Sequence, residues 1–143
     1  MRRIQLSTPL QAPADRAWQV LLDTDGWSRW GRFATSAHGD LVPGSVWRVQ
    51  LSGDGRPRTM SPRLLSIDEP RRLLFETRIL GGWAARLTHA FVVDEEGPER
   101  SVLHQRFEVT GPLVAPLWPI LEAGATQFSA LGDDLARELS GYR

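Results

Sequence analysis

Residues 117–139 read LWPILEAGATQFSALGDDLAREL, and this stretch has the pattern of one long amphipathic helix. Its apolar residues recur every three or four positions for about six turns of 3.6 residues. These residues are Leu117, Leu121, Ala125, Phe128, Leu131, Leu135 and Leu139. Since Pro119 cannot lie inside a helix without a kink, we expect the regular helix to begin near residues 116–118. A helix of this length must bury its apolar face against another layer of structure.

The residues before this helix alternate with a period of two. From about residue 34 to residue 111, short runs of alternating apolar and polar residues are separated by turn sequences such as Gly53-Asp54-Gly55 and Gly81-Gly82. Residues 4–10 alternate in the same way, and residues 14–22 have the spacing of a short amphipathic helix. The pattern predicts an α+β fold, in which a curved antiparallel seven-stranded sheet wraps around the long C-terminal helix, with two short helices after strand 1.

Length and composition are those of a globular protein. A chain of 143 residues is expected to form a single domain over residues 1–143. Its 17 basic and 17 acidic side chains balance, so no overall excess of positive charge is available to bind nucleic acid. The group Arg56, Arg58 and Arg63 is interpreted as a solvated loop, and Asp133 and Asp134 as solvated carboxylates on the helix surface.

Residue types that are absent exclude several chemistries. The chain has neither cysteine nor lysine, which excludes disulfides, thiolate nucleophiles, Schiff bases and a P-loop lysine. The three histidines lack metal-ligand spacing, so we expect no metal, and we expect no cofactor. With no apolar targeting segment near Met1 and no run of 18 apolar residues, we expect a cytoplasmic protein without stable membrane insertion.

Aromatic side chains are the main candidates for a ligand site, since the chain has six Trp and five Phe. Strand alternation or helix spacing places a set of large side chains toward the interior or at its mouth, where they would bind a planar or apolar ligand. The alternative is a solid core without a hollow. The set is Trp27, Trp30, Trp47, Phe75, Trp83, Phe91, Phe107, Leu121 and Phe128.

Three polar residues share the inward phase. His89 can donate to or accept from a ligand oxygen, or it is a core histidine satisfied by a local partner. Thr77 and Gln105 either orient a ligand or bond to each other or to buried water. His89 is the candidate for a catalytic residue, and no other residue is assigned a catalytic role. His38 and His104 are expected to face solvent.

The order of elements is matched by single residues along the chain. They are Pro13-Ala14 before Ala17-Trp18, Asp23 before Trp27 and Trp30, Pro43-Gly44, Asp68 with Pro70, Leu73 and Phe75, His89 with Phe91, and Ser101, Leu103 and Gly111. From about Ile4 to Leu139 the chain resembles the polyketide cyclase/dehydrase and lipid-transport superfamily, the START-like or Bet v 1-like helix-grip proteins (SRPBCC). Phe75 departs from the pattern, because relatives often carry Trp there. The resemblance implies a hollow between sheet and helix that takes lipids, polyketides or aromatic compounds.

Three functions are consistent with these features. The first is a carrier or sensor that binds a small hydrophobic molecule, as a monomer or homodimer. The second is a cyclase or dehydrase acting in the same hollow, with His89 as acid/base and Gln105 or Thr77 orienting a carbonyl. The third is a chaperone-regulating or other protein-interaction domain, for which residues 113–118 are the candidate apolar patch.

Overall fold

The computed structural model describes residues 1–52, 57–68 and 71–141. The turn expected at Gly53-Asp54-Gly55 lies outside these residues, as do Arg56 and Pro70. The strands are β1 (Arg2–Leu10), β2 (Ala34–His38), β3 (Arg48–Leu51), β4 (Arg58–Met60), β5 (Arg63–Asp68), β6 (Arg72–Ile79), β7 (Ala85–Gly97) and β8 (Arg100–Thr110). The helices are α1 (Ala14–Leu22), α2 (Trp27–Trp30), α3 (Val114–Thr126) and α4 (Ser129–Ser140), with single helical turns at Thr24–Gly26 and Leu80–Gly82.

The strands are antiparallel and fall into two hydrogen-bonded groups, β1-β8-β7-β6-β5 and β2-β3-β4. The pairing register of β3 with β4 continues into the start of β5 and so joins the two groups. Leu51 lies opposite Arg58, and five residues earlier Val46 lies opposite Arg63. Strands β4 and β5 are therefore one strand interrupted at Ser61 and Pro62. Proline has no N–H for the ladder, which accounts for a break at this position. The α+β prediction is confirmed, and the break is why the described residues contain eight strands instead of the expected seven.

The C-terminal helix is long, as predicted, but it has two segments and an earlier start. Helix α3 begins at Val114 instead of residues 116–118, and Pro119 lies inside it. Pro116 is the third helical residue, where the backbone N–H has no partner within a helix, so only Pro119 costs a hydrogen bond. A two-residue break at Gln127 and Phe128 separates α3 from α4.

Helix α4 lies close against β1 and the loop before β2. A Cβ added at Gly132 would collide with Oγ1 of Thr8, so the close approach of helix to strand requires glycine there. Asp134 is buried, and its Oδ2 accepts the backbone N–H groups of Arg32 and Phe33 at 2.8 and 2.9 Å. Asp134 is thus a structural clamp, and its interpretation as a solvated carboxylate is wrong. Among the described residues, no helix has both the length and the apolar character to cross a membrane.

The inward phase of the strands is confirmed for most of the sheet. Most side chains predicted to face inward between residues 47 and 109 are buried, among them Trp47, Phe75, Phe91 and Phe107, and Thr77 and Leu87 are half-buried. Trp83 is exposed instead. It lies in the connection before β7, outside the alternating strand, and is 65% exposed, so its predicted inward orientation is wrong.

Candidate functional site

A cavity of about 730 Å³ lies between helix α3 and the strands beneath it. It is positioned by the interrupted strand: β5 pairs with β6 as far as Arg63 opposite Glu76, whereas β4 pairs with β3 only. The next residue of β6, Thr77, therefore faces a gap instead of a neighbouring strand. The gap opens under α3, and the cavity occupies it.

The cavity has an apolar floor and a polar edge. The floor is made of side chains from β3, β7, β8, the C-terminal end of α3 and the helix break, namely Leu51, Leu87, Phe107, Ala125 and Phe128. Helix α3 contributes Pro119, Ile120, Leu121, Ala123 and Gly124 above it. The polar edge comes from β4, the strand break, β6 and the helix break, namely Arg58, Thr59, Ser61, Thr77 and Gln127, with Met60 between them. The arrangement suits a ligand with an apolar body and one polar end.

The interior beneath α4 is filled by aromatic side chains. Trp47 contacts Phe75 edge-on, with ring centroids 4.9 Å apart, and Phe75 contacts Phe91 at 5.9 Å. Trp27 packs against Trp47 at 6.4 Å and donates its indole N–H to the carbonyl of Leu21. The void that remains in this aromatic cluster has about 20 Å³, which is room for little more than one water molecule.

His89 is held by a chain of hydrogen bonds that fixes its tautomer. Gln105 donates its amide N–H to the carbonyl oxygen of Phe128 over 2.9 Å, and a carbonyl can only accept. The amide oxygen of Gln105 must therefore face His89, whose Nε2–H donates to it over 3.0 Å. The imidazole is stacked on Phe107, with ring centroids 4.0 Å apart, and tilted against Phe91 at 4.2 Å. Of the alternatives left open for Gln105, a bond to Thr77 is not the one that satisfies it, since its partners are His89 and Phe128.

Burial lowers the pKa of His89 from 6.5 to about 3, and the hydrogen bond that His89 donates to Gln105 opposes that shift only in part. The imidazole is therefore neutral near pH 7, and its one N–H is already committed to Gln105. It also lies outside the lining of the large cavity. This geometry suits a core histidine satisfied by a local partner, which is one of the two alternatives left open by the sequence.

The proposed ligand-binding residues are distributed over both regions of the interior. Four of them, Thr77, Phe107, Leu121 and Phe128, line the large cavity. Five others line the 20 Å³ void and not the large cavity, and these are Trp27, Trp47, Phe75, His89 and Phe91. The remaining three, Trp30, Trp83 and Gln105, line neither. Trp30 is buried at the far end of the interior, where its Nε1 has no partner among the described residues.

The strand-break side of the cavity is not predicted by the sequence. The sequence places Arg58 in a solvated loop and predicts no orientation for Met60 or Ser61. Pro62 was the available signal, because a proline inside an alternating run marks a strand interruption. Gly124 was a second signal, since a glycine inside a long helix leaves the space of its missing side chain empty.

Comparison with known proteins places the chain in a family. The model of the family described as polyketide cyclase/dehydrase and lipid transport matches residues 1–139. No curated protein sequence matches the chain significantly.

Solved structures show the same fold at low identity. A point mutant of norcoclaurine synthase from Thalictrum flavum is 14% identical with a TM-score of 0.76, covering 99% of this chain and 95% of that one. The Zhui aromatase/cyclase from Streptomyces sp. R1128 is 19% identical with a TM-score of 0.74, covering 97% and 93%. A START superfamily protein from Mycobacterium smegmatis is 12% identical with a TM-score of 0.74, covering 99% of both chains. The resemblance stated from the sequence is confirmed: the chain belongs to the polyketide cyclase/dehydrase and lipid transport family.

Proposed function

We propose that the protein binds a small apolar or aromatic molecule in the cavity under α3, as a carrier or sensor. The observation that carries this proposal is the cavity itself, about 730 Å³ with an apolar floor. Small-molecule sites usually enclose about 300–1,000 Å³ and combine apolar walls with a few polar groups. An apolar ligand would gain about 25 cal/mol for each Å² of apolar surface removed from water.

The family and its structural neighbours support the same class of function. The family description names lipid transport beside cyclase and dehydrase chemistry. A carrier and an acid/base enzyme with this fold would differ in the side chains that line the cavity, because the enzyme needs groups there that exchange protons. Among the described residues that line it, there is no His, Asp or Glu, and the one charged side chain is Arg58. With no group there to exchange protons near pH 7, binding is favoured over acid/base catalysis.

The interaction hypothesis also receives less support than binding. It requires an exposed apolar patch at residues 113–118. Val114 is buried, and Leu113, Leu117 and Trp118 are half-buried. Ile120 is the exposed large apolar side chain of α3, and it lines the cavity.

Gly124 offers a direct test, because a side chain can be added there without a clash. A Cβ built at Gly124 meets no atom within 4 Å, and the residue lines the cavity on the same helical face as Leu121 and Phe128. We expect Gly124→Leu to fill the cavity while the protein stays folded. Thr126→Leu is the matched control, since Thr126 is an exposed residue of the same helix outside the cavity lining.

The probe is N-phenyl-naphthylamine, a neutral fluorophore whose emission rises in apolar surroundings. The wild type and Thr126→Leu should bind it saturably at one site, whereas Gly124→Leu should bind at least about tenfold more weakly. Circular dichroism and thermal unfolding check that each variant is folded. Absence of binding to the wild type, or equal binding to wild type and Gly124→Leu, would overturn the proposal.

A further inference from the structure

Among the described residues that line the cavity, one side chain is charged, and it lies at the polar edge. Arg58 belongs to β4, the part of the interrupted strand that pairs with β3 and not with β6. Every other described residue of the lining is uncharged. An ionised group beside an apolar wall interacts with an opposite charge more strongly than it would in bulk water, because the wall excludes solvent from one side.

Arg58 is oriented by a neutral partner. Its Nη2 donates to the side-chain oxygen of Gln127 over 2.7 Å, a bond from β4 to the helix break across the cavity edge. Several other arginines are paired with carboxylates, such as Arg71 with Asp15 and Arg78 with Glu76. Within residues 1–52, 57–68 and 71–141, Arg58 has no carboxylate partner.

The guanidinium has donors left for a ligand. It carries five N–H donors in a planar fork that matches the two oxygens of a carboxylate or sulfonate, and the Gln127 bond uses one of them. The hydroxyl of Ser61 lines the same edge of the cavity. An acidic group placed here would stay near solvent, while the body of the ligand reached the floor at Phe107 and Phe128.

We infer that the ligand is an amphipathic acid, whose anionic group pairs with Arg58 and whose apolar chain or ring system fills the cavity. This inference rests on the proposed function, because it names the class of molecule that the same cavity binds. It also gives the ligand a direction: anionic group outward at the strand break, apolar end inward under α3.

Two probes that differ by one acidic group test the inference. N-phenyl-naphthylamine is neutral, and anilinonaphthalene sulfonate has the same ring system with a sulfonate added. The wild type should bind the sulfonate about tenfold more tightly than the neutral probe, which is the usual magnitude for a hydrogen-bonded charge pair. Arg58→Met should abolish this preference, and Arg58→Lys should keep part of it, since lysine retains the charge without the fork.

Arg63→Met is the matched control, because Arg63 is an exposed arginine just beyond the strand break and outside the cavity lining. It should keep the wild-type preference. Competition by dodecanoate against dodecanol, and by naphthoate against naphthamide, then shows whether a chain or a ring system accompanies the acid. In both pairs the acid should compete better, and rising salt should weaken only the acid.

The outcomes separate the two proposals. If the neutral probe binds and Gly124→Leu blocks it, but neither sulfonate nor carboxylate is preferred, the inference about the ligand fails and the proposed function stands. An anion preference that survives in Arg58→Met also overturns the inference. If neither probe binds the wild type, both proposals fail together.

Discussion

Gln105 and Phe128 are joined by a hydrogen bond at the point where the C-terminal helix breaks. The amide N–H of Gln105 on β8 reaches the carbonyl oxygen of Phe128 over 2.9 Å, and this oxygen also accepts the backbone N–H of Leu131 at 3.1 Å. The bond anchors the sheet to the helix between α3 and α4. On one side of this anchor α4 lies tightly on β1, and on the other side α3 stands over the cavity.

Gln105→Leu is expected to lower the free energy of unfolding by about 2 kcal/mol. The substitution leaves the buried Nε2–H of His89 without an acceptor, and an unsatisfied buried donor costs about 1–3 kcal/mol. The carbonyl oxygen of Phe128 still accepts the backbone N–H of Leu131, so losing the bond from Gln105 at this oxygen contributes less to the destabilisation. Urea unfolding followed by fluorescence measures the effect.

The partner variant His89→Leu, and the double variant His89→Leu/Gln105→Leu, complete a double-mutant cycle. Because the double variant removes both polar groups at once, it should lose less stability than the sum of the single variants, by about 1 kcal/mol. Strict additivity would mean that the bond between His89 and Gln105 does not contribute to stability.

Stability is expected to fall as the pH is lowered below about 6.5. The unfolded chain binds a proton on His89 near pH 6.5, whereas burial keeps the imidazole neutral in the folded protein down to about pH 3. Between these values the unfolded state binds more protons than the folded state, so acid favours unfolding. The slope from His89 approaches about 1.4 kcal/mol per pH unit.

Urea unfolding between about pH 7 and about pH 4.5 measures this slope. The double variant His89→Leu/Gln105→Leu should lose the part of the slope that comes from His89. His38→Gln, at an exposed histidine, is the matched control and should keep it. An unchanged slope in the double variant would show that the buried imidazole accepts a proton in the folded protein.

The sequence predicts the layers of the fold because alternation and helix spacing report which side of an element is buried. Trp47, Phe75 and Phe107 are buried on the faces that their strand positions indicate. It does not predict how completely two layers meet. The aromatic side chains are expected to line the hollow, yet most of these rings fill the space among themselves, and the open volume lies under α3.

The missed features arise from contacts between residues far apart in the chain. Asp134 looks like a surface carboxylate from its neighbour Asp133 and from helix spacing, but its partners are the backbone N–H groups more than one hundred residues earlier. Arg58 lines the cavity because β4 pairs with β3 and not with β6. Neither the fit of a backbone amide to a carboxylate nor the divergence of two strands has a local pattern in the sequence.

Asp134→Ala is expected to destabilise the protein by about 2–4 kcal/mol, because it removes the acceptor of two backbone N–H groups, of which that of Phe33 is buried. Asp134→Asn keeps one carbonyl oxygen that can accept both and should cost less than half as much. Arg137→Met removes only the exposed partner of the carboxylate and should cost about 0–1 kcal/mol. Urea unfolding ranks the three variants, and a cost for Arg137→Met equal to that of Asp134→Ala would contradict the clamp.

Two glycines of the C-terminal helix should respond in opposite ways to alanine. At Gly124 a Cβ meets no atom within 4 Å, so Gly124→Ala should raise the free energy of unfolding by about 0.5–1 kcal/mol through helix propensity. At Gly132 the added Cβ collides with Oγ1 of Thr8, and forcing the helix from β1 should cost about 1–3 kcal/mol. Adding Thr8→Ala to Gly132→Ala removes that oxygen and should restore part of the loss. Thermal and urea unfolding measure the effects of both alanine substitutions. Equal effects at the two glycines would contradict the close packing of α4 on β1.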